Sequence, residues 1–444
     1  MADAVVSPFE TALENQRIGP LQIRVAILCT LIQVCDGYDI NSVAWVVPKL
    51  IDTWHLPPQA FTSAFLWSSI GILVGALSAG PIGDRVGRKP LLLASLTIFG
   101  LASLASAFST TVFFLAVTRF FTGLGIGGAF PGAASLAGDY APHRRRALLI
   151  MLSFTGAPLG GFLGGQLVSL WLLPTYGWTS IFIAGGVFPL VLLPALLLWL
   201  PESPRFLANK PDLSPRQAAL LRELDIAPGQ NHRVDVAESN PVGMLFSRGY
   251  ALQTILMWII FFCSLLNLFL FGYWMPTVFK LIGFTPAQAV FASSLRDCGA
   301  IFAVLYLGAL IDRVGPERSL AFHYAAGAVF IAMISLVALP YAMLLLMTFL
   351  AGMTIIGSQT GANATCGKLY PARMRTSGLG WALGIGRLGG IVAPLLGGYL
   401  LSLGLPPTQI FLCACGFAIV AAVATGLLHF RGSRVEALQE SIAS

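Results

Sequence analysis

Ionisable side chains interrupt stretches that are otherwise apolar, and their types and spacing limit the chemistry open to this chain. Asp36 and Asp39 stand three apart, which in a helix puts both carboxylates on one face. Like charges there repel, and burial penalises the ionised form, so this is a setting in which a carboxylate can hold and release a proton. The alternative is that each aspartate is bridged to an arginine of another helix. Arg119, Arg296 and Arg387 also fall inside apolar runs, as does Asp297, with Asp139 near a predicted helix end. Charges at bilayer depth are costly, so they usually face a cavity, find a partner and serve function. At about 1.5 Å per residue, Asp36 lies roughly 18 Å into its run, near the midplane. Arg387 and Arg296 fall at similar depth by the same reckoning.

The planar fork of Arg387 suits a carboxylate ligand; a permanent bridge to Asp36 or Asp39 is the other reading. Arg119 stands evenly between facing a substrate and holding structure. Arg296 and Asp297 are adjacent and point about 100° apart, which favours a structural or gating role. His323 could relay protons or be a plain interfacial residue. Tyr38, Asn41 and Trp45, Asn267, Tyr273 and Trp274, Gln359 and Asn363, and Trp381 supply amide and aromatic groups in four of the apolar runs. Some of these rings belong to interfacial belts. Together the groups suit a flat, partly apolar anion better than a sugar.

The elements that must position these groups are long. Apolar runs predict twelve spanning helices at about 22–48, 60–82, 90–110, 112–139, 147–171, 178–200, 250–274, 287–310, 319–340, 342–367, 376–403 and 407–430. The chain is 56% hydrophobic and 10% charged, against about 25% charged in an average soluble domain. A bilayer can accommodate that much apolar surface and water cannot. The net charge of +7 reads as positive-inside topology and not as a nucleic-acid surface, because the basic residues gather in alternate short loops. Both termini are then expected in the cytoplasm. No cleavable signal is expected, since the first twenty residues are polar. The seven cysteines are scattered, so neither disulfides nor a metal site is expected.

A short polar cassette occurs twice. Gly80-Pro-Ile-Gly-Asp84-Arg85-Val-Gly87-Arg88-Lys89 and Gly308-Ala-Leu-Ile-Asp312-Arg313-Val-Gly315 share the pattern G-x-x-x-D-R-x-G, half a chain apart in 444 residues. This predicts a duplicated bundle, 1–200 and 249–444, joined by a polar linker at 201–248. Parallel repeats of this kind build transporters that rock about a central site. Asp84, Arg85, Arg88, Asp312 and Arg313 are expected to gate the inner side, with Asp84 and Arg85 close to Asp139 and to the basic run Arg144–Arg146. Glycines crowd the fourth, fifth and eleventh runs; those beside Arg387 (Gly386, Gly389 and Gly390) are expected to leave room for a ligand. No Ser-His-Asp set, metal cluster or phosphate loop is visible, which argues against an enzyme.

With its cassettes, Pro201-Glu-Ser-Pro-Arg205 and Asp36-Gly37-Tyr38-Asp39 in the first helix, the chain resembles the major facilitator superfamily, and within it the aromatic acid:proton symporters. Arg119-Phe-Phe-Thr-Gly-Leu-Gly-Ile-Gly and Tyr370-Pro-Ala-Arg373-Met-Arg375 fit the same family. The resemblance implies an all-α membrane protein of twelve helices in two pseudo-symmetric six-helix bundles. It implies that Asp36, Asp39, Arg119, Asp139, His323, Arg375 and Arg387 are needed for transport. It implies proton-coupled uptake of an aromatic carboxylate such as a hydroxybenzoate. The partners would be that small molecule, protons and the lipid bilayer of a bacterial inner membrane. The protein would be a monomer with no nucleic acid and no cofactor, driven by the proton gradient. Another organic acid, such as nicotinate or a dicarboxylate, is the alternative; a membrane receptor or enzyme is more remote.

Overall fold

The computed structural model describes residues 18–142, 146–210, 212–224, 226, 241–247, 250–370 and 372–443. Within these, the side chains of 146–148, 241–242, 367–368, 372–373, 375–376 and 430–443 are not described. Arg375, the basic run Arg144–Arg146 and residues 227–242 of the 201–248 linker, all within stretches singled out above, therefore lie outside the described side chains. Every regular element among the described residues is helical. In lipid every backbone polar group must be satisfied within the protein, and a helix does this within its own segment.

The spanning helices are α1 (Pro20–Trp54), α2 (Thr62–Val86), α3 (Arg88–Ser106), α4 (Val112–Tyr140), α5 (the span Leu149–Tyr176), α6 (Thr179–Trp199), α7 (Ala251–Leu281), α8 (Pro286–Val314), α9 (Pro316–Leu336), α10 (Tyr341–Leu369), α11 (Ala372–Ser402) and α12 (Gln409–Ala443). Eleven of these are long and apolar enough to cross a membrane. The exception is α1. It is among the longest, at 35 residues or about 52 Å, but Arg24, Asp36, Asp39, Lys49 and Asp52 lower its hydropathy. α5 departs from the single helix expected at 147–171. It breaks at Thr155 and carries one π turn at Val168–Leu172.

By backbone proximity the described residues form two compact units. One lies within Met1–Ser42, Trp67–Gly161 and Thr179–Glu238; the other lies within Val43–Leu66, Phe162–Trp178 and Ser239–Ser444. In the first unit α1 meets α5 backbone to backbone. A Cβ on Gly37 would overlap the Ala157 carbonyl, and one on Gly160 would overlap that of Val34. The second unit takes in one end of α1, α2 and α5. There Lys280 ion-pairs with Asp52, Phe65 stacks on Tyr273 with centroids 4.8 Å apart, and Gln166 Nε2 donates to Ser294 Oγ at 2.8 Å.

Both cassettes end on a glycine in the left-handed region, Gly87 at φ 108° and Gly315 at φ 91°. A side chain is strained there, which explains the last glycine of the repeated pattern. Each glycine turns one spanning helix directly into the next.

Candidate functional site: buried charges of the two units

In the first unit, Arg119 of α4 is buried and both of its terminal nitrogens are hydrogen-bonded. Its Nη1 lies 3.2 Å from Asp39 Oδ2 and 3.3 Å from Ser42 Oγ, and its Nη2 donates to Ser106 Oγ at 2.7 Å. The guanidinium carbon stands 4.7 Å above the Phe182 ring. Ser103 Oγ donates to the other Asp39 oxygen at 2.6 Å. Asp39 is thus neutralised by a charge and by hydroxyls from α3 and α1. A buried pair is tolerated only when its remaining valences are satisfied in this way.

Asp36 shares the helix but not the partners. Both of its oxygens are buried with no hydrogen bond among the described residues. An ionised carboxylate is very costly in such a place, whereas a neutral acid is much less so. One turn earlier, Gln33 Nε2 donates to the Phe130 carbonyl at 3.1 Å. Tyr38 donates its hydroxyl to the Ile181 carbonyl at 2.9 Å, tying α1 to α6. Asn41 donates to Gly37 of its own helix.

The second unit holds Arg387. Among the described residues no carboxylate lies in ion-pair range of it. Gly380, Gly384 and Arg387 are four and three apart and so share one face of α11. A Cβ added to either glycine would meet nothing within 4 Å. The room beside Arg387 is therefore on this face. The glycines expected to supply it serve packing instead: a Cβ on Gly386 would come 2.7 Å from Leu265, and one on Gly389 would overlap the Phe262 carbonyl. They let α7 and α11 close on each other. Trp381 is exposed and stacks on Trp258 at 6.0 Å. Asn267 is buried and donates to the Ala414 carbonyl at 3.0 Å. Gln359 Oε1 is buried with no hydrogen bond among the described residues, and Asn363 is exposed.

Arg296 and Asp297 pair with each other, Nη2 to Oδ1 at 2.9 Å. Their Cα–Cβ bonds diverge, but the long arginine stem folds back. Its Nη1 occupies the place a Cβ on Gly272 would take. His323 is fully buried, hydrogen-bonded to Tyr306 of α8 and to the Ser319 carbonyl of its own helix.

At the cassette, Asp84 pairs with Arg88 at 2.6 Å, while Asp139 accepts from Ser203 Oγ at 2.7 Å. The residue that sequence reasoning missed is Glu202. Its Oε1 accepts from the backbone N–H groups of Arg88 at 2.7 Å, Lys89 at 3.1 Å and Ser203 at 2.8 Å. This places an anion on the N-terminus of α3, where the helix dipole favours it. The available signal was the Pro201-Glu-Ser-Pro-Arg205 run, read only as a family mark. Asp312 and Arg313, in the second copy, are exposed, with no ion pair among the described residues. Tyr370, between α10 and α11, donates to Thr254 Oγ1 at 3.0 Å, and burial raises its pKa.

The chain, with its two cassettes and the charges inside its helices, matches a family model described as Major Facilitator Superfamily over residues 29–394 and 257–443. The chain belongs to that superfamily. It is a multi-pass membrane transporter and not an enzyme. Over 93% of both chains it is 37% identical to the gallate transporter of Pseudomonas putida. It is 34% identical to the 4-hydroxybenzoate transporter PcaK of Pseudomonas aeruginosa, covering 95% of this chain and 94% of that one. Among solved structures, a crystal structure of the nucleoside transporter NupG superposes with a TM-score of 0.69 at 14% identity, over 92% of this chain and 99% of that one. That likeness supports the fold.

Proposed function

We propose that this transporter carries an aromatic carboxylate, of the hydroxybenzoate class, into a bacterial cell together with protons, by alternating access. The supporting observation is the uneven pairing of its buried charges. Arg119 is consumed by Asp39, so it has no fork to offer a ligand. Arg387 keeps its fork and has open backbone beside it. Asp36 is left as the acid that can carry a proton. The substrate carboxylate binds Arg387 bidentately, and its ring lies along the bare face of Gly380 and Gly384. Asp36 takes up a proton from outside and releases it inside. The names of the gallate and 4-hydroxybenzoate relatives support the substrate class. The energy source is the proton gradient across the inner membrane, the working unit is one chain, and both termini face the cytoplasm.

Uptake into proteoliposomes under an imposed pH gradient tests this reading. Gallate, 4-hydroxybenzoate, benzoate, nicotinate and succinate are offered as radiolabelled substrates. Accumulation of the hydroxybenzoates that collapses with a protonophore is expected. Uptake of succinate alone would move the substrate to the dicarboxylates, and accumulation indifferent to the protonophore would remove the proton coupling.

A further inference from the structure

We propose that Tyr306 controls the protonation of His323 and is thereby a positioning residue for proton-coupled transport. The inference rests on the proton-coupled reading above and extends it to a residue of α8. His323 Nδ1 faces the Ser319 carbonyl at 2.6 Å. A carbonyl only accepts, so Nδ1 carries a hydrogen, and that fixes the tautomer. Nε2 of the neutral ring is then an acceptor, and it is met by the Tyr306 hydroxyl. The two rings lie nearly parallel, 19° apart with centroids at 5.5 Å, and Phe322 closes the edge at 5.8 Å. From α10, Gly357 approaches the imidazole Cδ2, at 3.6 Å from where its Cβ would stand. Among the described residues no charged group is hydrogen-bonded to the imidazole from α8, α9 or α10.

His323 is fully buried, while Tyr306 is half-buried. The imidazole therefore exchanges protons through one atom, Nε2, and through one neighbour. An incoming proton attaches to the Tyr306 oxygen as the phenolic proton passes to Nε2. The product is a neutral tyrosine and an imidazolium, with mass and charge conserved. Nδ1 offers no exit, because the Ser319 carbonyl is too weak a base to carry the proton onward. The proton leaves as it came. His323 is a side store of charge and not a wire through the protein, and among the described residues the tyrosine hydroxyl is the one partner of Nε2.

Tyr306→Phe keeps the stacked ring and removes the hydroxyl. Proton-driven uptake of 4-hydroxybenzoate should fall about tenfold, the scale of one hydrogen bond to a charged group. Its dependence on pH should flatten across about pH 5 to 8, where imidazoles titrate. Counterflow exchange at fixed pH should be retained, which a collapsed fold would not allow. His323→Gln, which cannot take the proton, should match Tyr306→Phe in both readouts. If His323→Gln loses the pH dependence and Tyr306→Phe keeps it, the role of Tyr306 is refuted while the coupling stands. If neither variant changes the profile, His323 takes no part in coupling and the proposal falls with it. If counterflow is lost in Tyr306→Phe, its role is structural and the proposal is overturned.

Discussion

Truncating Arg119 and Arg387 side by side tests the division of labour between the two arginines. Arg119→Ala deletes the partner of a fully buried carboxylate. Asp39 keeps the Ser103 hydroxyl but loses its counter-charge. Breaking a buried pair from one side costs about 3–5 kcal/mol, and the lost cover of the Phe182 ring adds to it. The variant should therefore unfold earlier in detergent, and Asp39→Asn added to it should recover part of the loss, because the stranded charge is gone. Arg387→Ala removes no ion pair seen among the described residues. Its thermal stability should hold or rise, since a desolvated cation is removed. Its cost should appear in binding. Loss of a desolvated charge pair with the substrate is about 2–5 kcal/mol, or roughly 30- to 4,000-fold in Kd at about 1.4 kcal/mol per tenfold. Arg387→Lys keeps the charge without the fork and should fall between. Isothermal titration with 4-hydroxybenzoate and a thermal melt on each variant provide both measurements. Should Arg119→Ala keep its melting temperature and lose affinity while Arg387→Ala binds normally, the carboxylate belongs to Arg119 and the reasoning is refuted.

Further outcomes follow from the same geometry. Asp36→Asn should abolish accumulation driven by a pH gradient while keeping counterflow, because the amide mimics the neutral acid but cannot release a proton; normal accumulation in this variant would exclude Asp36 as the carrier. Gly389→Ala forces a Cβ into the Phe262 carbonyl and should lower the melting temperature, whereas Gly384→Ala enters open space and should raise it, by about 1 kcal/mol of helix propensity. Gly384→Leu should weaken binding without loss of stability, and unchanged affinity would show that the ring does not lie on that face. Glu202→Gln removes the anion from the N-terminus of α3 and should slow transport with substrate affinity kept, since it acts on the cassette; a loss confined to binding would contradict this.

The helical architecture was legible because the bilayer leaves few options. Runs of apolar residues mark where spans lie, and eleven of the twelve expected are long and apolar enough to cross a membrane. Charges at bilayer depth also declare themselves by cost, so Asp36, Asp39, Arg119, Arg296, Asp297 and Arg387 could be singled out by position alone. Which charge meets which partner could not. Asp36 and Asp39 occupy the same helix face, yet only Asp39 finds Arg119, because Ser103 and Ser106 of α3 arrive beside it. Arg296 closes on its own neighbour through the length of its stem, which residue spacing does not describe. The glycines of α11 look alike in sequence. Those at 386 and 389 are consumed by contact with α7, while those at 380 and 384 face open space. Glu202 reaches across to a helix start more than a hundred residues earlier. Helix formation depends on neighbours in the chain, and its signal is local; pairing of buried charges depends on how helices pack, and that is decided only when the bundle closes.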